Sequence, residues 1–163
     1  MGEMEAKTTS LRAPNGFFAT KVDDAGRIKL PAKMREYLSH MPDKAMFATC
    51  NDVNASMGKI YFNGSWERTK EILAKQKENR AAAAAFVLLS NGCGGDVDID
   101  SNGRVTLPQE LRSLLKLNGA DVQLLIFGEV IQIHREADVQ HSRETAAKVV
   151  AENIAALEAL EIQ

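Results

Sequence analysis

The feature that most constrains this chain is a seventeen-residue stretch that occurs twice. Val22-Asp23-Asp24-Ala25-Gly26-Arg27-Ile28-Lys29-Leu30-Pro31-Ala32-Lys33-Met34-Arg35-Glu36-Tyr37-Leu38 returns as Ile99 to Leu115, displaced by 77 residues (100 − 23) without a gap. Seven of the seventeen paired positions are identical, and four more exchange one apolar residue for another. A repeat at fixed offset means that one supersecondary unit has been used twice.

Each copy predicts the same local path. A β-type run (17–22, then 97–99) leads into a turn whose glycine, Gly26 or Gly103, can adopt positive φ. Asp23 and Asp100 can accept hydrogen bonds from backbone N–H groups ahead of them and so hold the turn. Apolar alternation follows at Ile28/Leu30 and Val105/Leu107, and Pro31 and Pro108 then stand where a strand stops and a helix takes its first residue. Met34 and Leu38, like Leu111 and Leu115, fall on one face of that short helix. Strand, turn, strand and helical turn make the unit, with Arg27 or Arg104 at the tip of its turn.

The doubled Asp-x-x-Gly-Arg-x-x-Leu-Pro pattern, with a helical insert between its copies, resembles the MraZ family over residues 17–138. The resemblance implies an α+β, mainly β fold made of two tandem AbrB-like (SpoVT-AbrB) swapped-hairpin units. It also implies a non-enzymatic transcriptional regulator of double-stranded DNA, without cofactor, assembled as a ring-like homo-oligomer. Such proteins recognise short repeated boxes in the promoter of the division and cell-wall gene cluster. The expected organisation is a disordered N-terminal arm (1–16), a first unit (17–64), a helical insert with a glycine-rich hinge (65–93), a second unit (94–137) and a C-terminal helix (138–163). One departure stands out: the helical run that often carries arginines in that family reads Ala81 to Ala85 here.

Charge first argues against a nucleic-acid partner, since the net charge is −2. It is unevenly spread, however. Between Phe18 and Leu38 five basic residues (Lys21, Arg27, Lys29, Lys33, Arg35) face three acidic ones, whereas from Glu136 onward six acids face two bases. Fields act within a Debye length of roughly 8–10 Å, so a basic loop face can coexist with an acidic tail. The second copy is not basic, so the first is expected to make the stronger DNA contact. No apolar run approaches the ~20 residues of a membrane span, and a cytoplasmic, nucleoid-associated protein is expected. Cys50 and Cys93 fit no zinc spacing and read as free thiols, and no flanking signature supports Cys93 as a hydrolase nucleophile.

In the first unit, residues 45–49 and 59–62 predict a hairpin with a long polar loop (51–58), matched in the second by 122–127 and 130–134 around a tight Gly128-Glu129 turn. Ser65 is the expected N-cap of a helix from Trp66 to about Lys77, with Trp66, Ile72 and Leu73 as its packed stripe. A second helical run, 81–89, is apolar enough to expect burial, and Asn91 to Gly95 reads as a hinge because it lacks the Gly-Lys-Ser/Thr of a phosphate loop. The C-terminal helix carries Ala146, Val150, Ile154, Leu157 and Leu160 at 3–4 spacing. It can pack on its own repeat or zip against a neighbouring subunit.

Two metal readings compete and fail. Asp98, Asp100 and Asn102 before Gly103 approach a calcium loop, but Gln109 replaces the bidentate glutamate and the first copy offers Lys21, Asp23 and Ala25 instead. His134 and His141 would need a third ligand that the chain does not supply. No metal site is expected.

The resemblance implies sequence-specific DNA binding through the motif arginines. Arg27 and Arg104 present bidentate forks that match guanine O6/N7 or a phosphate, and Lys21, Lys29, Lys33 and Arg35 would supply contacts that set register. Against it stands the possibility that Asp23–Arg27 and Asp100–Arg104 are ion pairs serving only the turn. The alternative function, from a different class, is an antitoxin-like protein-binding module on the same fold. The periodic C-terminus disfavours it, since antitoxins usually carry a disordered acidic tail.

Overall fold

Both copies of the repeat take the expected path. In the computed structural model, which describes residues 11–52 and 56–162, the first runs β1 (Phe18–Lys21), β2 (Arg27–Lys29) and α1 (Ala32–Ser39). The second runs β5 (Gly95–Val97), β6 (Arg104–Thr106) and α4 (Gln109–Leu115). Pro31 and Pro108 stand one position earlier than expected, as the N-caps of α1 and α4. The expected hairpins follow as β3 (Met46–Thr49) with β4 (Gly58–Tyr61), and β7 (Asp121–Phe127) with β8 (Val130–Arg135). The insert forms α2 (Ser65–Ala74) and α3 (Arg80–Gly92), and the chain closes with α5 (Glu136–Glu152) and α6 (Ile154–Glu158). Most of the expected N-terminal arm and the middle of the 51–58 loop lie outside the described residues. Of the arm, Ala13 packs against the core.

The fold is α+β, built on antiparallel pairs. Six strands form one sheet in the order β1-β7-β8-β4-β3-β5, and β2 pairs with β6 in a separate two-stranded ribbon. The order interleaves the copies symmetrically. β1 of the first copy pairs with β7 of the second, β5 of the second pairs with β3 of the first, and β4 and β8 meet in the middle. Within each motif hairpin only a single bridge closes the base, Val22↔Ile28 in one and Ile99↔Val105 in the other. The reason is burial. Val22, Ile28, Leu30, Met34, Val105, Leu107, Leu111 and Ile131 are each at most 1% exposed and belong to one cluster, so two short units share a single core.

Several expectations are corrected. Trp66 is a buried anchor, stacked on Phe47 at 4.6 Å, but Ile72 of the proposed stripe is 63% exposed. Gly64, not Ser65, caps α2, and the Ser65 hydroxyl donates instead to the Glu129 carbonyl at 3.0 Å in the β7–β8 turn. The 81–89 run is helical yet not buried. Leu88 is 77% exposed, because α3 turns another face, with Ala83 and Ser90 buried and Phe86 and Val87 half-buried, toward the body. In the glycine-rich stretch Asn91 and Gly92 end α3 and are exposed, while Gly94 is tightly packed: a Cβ there would lie 2.6 Å from Phe47 Cζ and 2.9 Å from the Ala48 carbonyl oxygen. The C-terminal helix does not pack back along its length. It leaves the body after its first turn, anchored by a 2.6 Å bond from Gln123 Nε2 to Glu136 Oε2, and buries no residue.

Candidate nucleic-acid interface

The two motif arginines do not sit at the turn tips as expected: residues 24–26 and 101–103 make the turns, and Arg27 and Arg104 open β2 and β6 and so stand on the paired ribbon. Its register sets Arg27 opposite Thr106, Ile28 opposite Val105, and Lys29 opposite Arg104. Side chains alternate faces along a strand and directly paired residues share a face. Ile28 and Val105, both 0% exposed, point into the core. Arg27, Lys29, Arg104 and Thr106 therefore line the outer face, three of them cationic. The ribbon is fastened to the large sheet by Thr20, whose hydroxyl donates to the Lys29 carbonyl at 2.8 Å.

The turns behind the arginines are built alike. Asp23 Oδ1 accepts the Ala25 and Arg27 N–H groups at 3.0 and 2.8 Å, and Asp100 Oδ1 accepts those of Asn102 and Arg104 at 2.8 and 3.0 Å. Gly26 and Gly103 take φ of +80° and +74°, a region that favours glycine. The guanidinium groups differ. Arg27 Nε donates to Asp23 Oδ2 at 2.9 Å while its side chain stays 41% exposed. No ion pair among the described residues engages Arg104. The ion-pair expectation thus holds for the first turn and not the second. Arg27 is steadied at its base but not withdrawn from the surface.

The backbone N–H of Arg27 holds the Asp23 carboxyl below its ordinary value of 3.8, and that of Arg104 does the same for Asp100. Arg27 also lowers Asp100 through space, so the field of one arginine reaches the other turn. Depressed folded-state values mean that both carboxylates contribute stability above pH about 3.8, and that it is lost as pH falls through their folded values. A side-chain NMR titration is expected to place both below 3.8. Titration of either at or above that value would contradict the turn geometry.

The remaining predicted cations are dispersed. Lys21 ends β1, exposed and opposite Asp121. Lys33 is exposed on α1 and lines an open cleft with Arg12, Glu36 and His40. Arg35 lies across the turn of the other copy, beside Gly103. Thr106 escaped sequence reasoning, although it occupies the second-copy position of Lys29; only the cross-copy register brings it to the outer face. His134 shares a 2.9 Å hydrogen bond with Gln132, and burial pushes its pKa down. Cys50 and Cys93 are free thiols. No helix among the described residues is long and apolar enough to cross a membrane.

Fold and site together define an α+β protein, with a repeated motif, that presents a cationic two-stranded ribbon. No family model matches the chain. It is 32% identical over 113 residues to the transcriptional regulator MraZ of Acidobacterium capsulatum, covering 69% of this chain and 74% of that one. It is 30% identical over 129 residues to that of Legionella pneumophila strain Corby, covering 79% and 84%. With MraZ of Koribacter versatilis the identity is 27% over 132 residues, 80% of this chain and 88% of that one. The chain belongs to the MraZ family of transcriptional regulators.

Proposed function

We propose that this protein regulates transcription by laying the β2–β6 ribbon against duplex DNA. The observation that carries the reading is the outer face shared by Arg27, Lys29 and Arg104 across a ribbon whose inner face is wholly buried. The major groove of B-DNA, about 12 Å wide, admits a two-stranded ribbon, and an arginine fork there fits guanine O6 and N7. In this reading Arg27 and Arg104 read bases. Lys29, Lys21 and Lys33 contact phosphates and set register. The interleaved pairing of β1 with β7 and of β5 with β3 supports a swapped-hairpin description of each unit.

One such face binds weakly, because phosphate contacts dominate affinity and this chain offers few. Repetition in a ring-like homo-oligomer raises effective concentration at tandem sites. Val149, Val150, Ile154 and Leu160, exposed on the C-terminal segment, supply apolar surface for a neighbouring copy. The target this reading favours is a set of short repeated boxes in the division and cell-wall gene promoter. Helical structure through Glu158 gives no support to the antitoxin-like alternative.

The test is binding to the DNA upstream of the chain's own gene against random duplex, at stated salt. Arg27→Ala and Arg104→Ala are each expected to lose about 1–3 kcal/mol of specific binding, roughly 5–150-fold. Lys29→Ala should instead weaken all sequences alike and reduce the magnitude of the salt slope by about 0.9. Wild-type protein that shows no preference over random DNA would remove the reading.

A further inference from the structure

We infer that Arg35 and Arg112 are positioning residues, each holding the DNA-facing turn of the opposite copy. This rests on the DNA-binding reading above. The two arginines are equivalent positions of the repeat, but neither serves its own turn. A Cβ placed on Gly103 would come 2.5 Å from Arg35 Cδ and 2.8 Å from its Nη1. A Cβ on Gly26 would come 2.5 Å from Arg112 Nη1, with Arg112 Cζ and Nε also against it. Each side chain therefore lies flat over the other copy's glycine. The missing Cβ is needed for that approach as well as for the positive φ.

The backbone repeats the exchange. Leu30 N–H donates to the Gly103 carbonyl at 3.0 Å, and Leu107 N–H donates to the Gly26 carbonyl at 2.9 Å. A carbonyl bond and a guanidinium plane thus hold each glycine from the opposite copy. One residue beyond each glycine stands the arginine of the ribbon's outer face. The latches are unequal. Arg112 is anchored, with Nε donating to the Leu107 carbonyl and Nη1 to Asn118 Oδ1, both at 3.0 Å. Arg35 Nε is buried with no hydrogen-bond partner among the described residues. A side chain with its Nε sealed against a turn is placed to fix geometry rather than to reach out to a phosphate.

Crossed control has a distinctive signature. Arg35→Met keeps the stem and removes the planar fork. It should lower the preference for specific over random DNA by up to the roughly 5–150-fold that one arginine–guanine contact supplies, with the salt slope unchanged. Combined with Arg104→Ala, it should add less than about twofold, since the contact it positions is already gone; combined with Arg27→Ala, its full effect should persist. Arg112→Met should show the reverse dependence. Equal losses in both backgrounds would overturn the inference. So would a salt slope smaller in magnitude by about 0.9 with equal weakening on random DNA, the mark of a direct phosphate contact. If Arg35→Met does not fold, Arg35→Lys, which keeps stem and charge, enters the same cycle. An arm without DNA separates this inference from the functional reading. Arg35→Met should shift the amide resonances of Gly103 and Arg104 more than those of Gly26 and Arg27, and the opposite pattern would sink the latch even if DNA binding is confirmed.

Discussion

Ile28→Ala is expected to lower the unfolding free energy by about 2–5 kcal/mol, a large share of the roughly 5–15 kcal/mol that holds a typical domain. Ile28 is 0% exposed and lies directly opposite Val105, also 0% exposed, at the centre of the two-stranded ribbon. Truncation leaves a cavity where the copies join, and neither partner strand can collapse into it without shifting the register. Urea unfolding followed by circular dichroism reads the loss, with an unchanged slope as the sign that only stability has moved. Arg27→Ala, one residue away on the outer face, should stay within about 0.5 kcal/mol of wild type. A loss below about 1 kcal/mol for Ile28→Ala would mean that the ribbon is not the seam of the core. The Val105→Ala double variant should depart from additivity, because the two side chains oppose each other across one pair of strands.

Trp66→Ala should cost about 3–5 kcal/mol, with a different spatial pattern. Its indole is stacked on Phe47 at 4.6 Å with an 11° interplanar angle. It also meets Tyr61 at 5.1 Å and Phe86 at 6.2 Å. These rings form a cluster distinct from the main core, tying α2 and α3 to the outer side of β3 and β4. Truncation should therefore release the insert first. Hydrogen exchange is expected to quicken in α2 and α3 while the amides of β2 and β6 keep their protection. Parallel loss of protection in both regions would show that the ring cluster and the ribbon form one cooperative unit.

These two sites mark what could be read in advance. The turn chemistry was legible: an aspartate accepting backbone N–H groups ahead of it and a glycine at positive φ follow from local backbone geometry, whereas the arginine expected at the tip opens the next strand instead. The same holds for Met34, Leu38, Leu111 and Leu115, whose spacing put them on one face before any neighbour was known; all are buried. Local rules served α3 less well. A run such as Ala81 to Leu89 is apolar on every side, so its pattern cannot say which face finds a partner. Only the position of Trp66 and Phe86 decides that, and most of α3 is left facing outward.

By itself the sequence determined that one strand–turn–strand–helix unit is used twice, with an arginine directly after the glycine of each turn, because hydrogen bonds and φ preferences within a few residues settle such a unit. Tertiary structure alone decided that β2 pairs with β6 rather than with its own hairpin partner, which places Arg27, Lys29 and Arg104 on one face. It alone sent Arg35 and Arg112 across to the opposite glycines. The physical reason is that each unit is too small to bury its own apolar face. The two must share a core, and strand pairing over so long a separation leaves no signature in either copy.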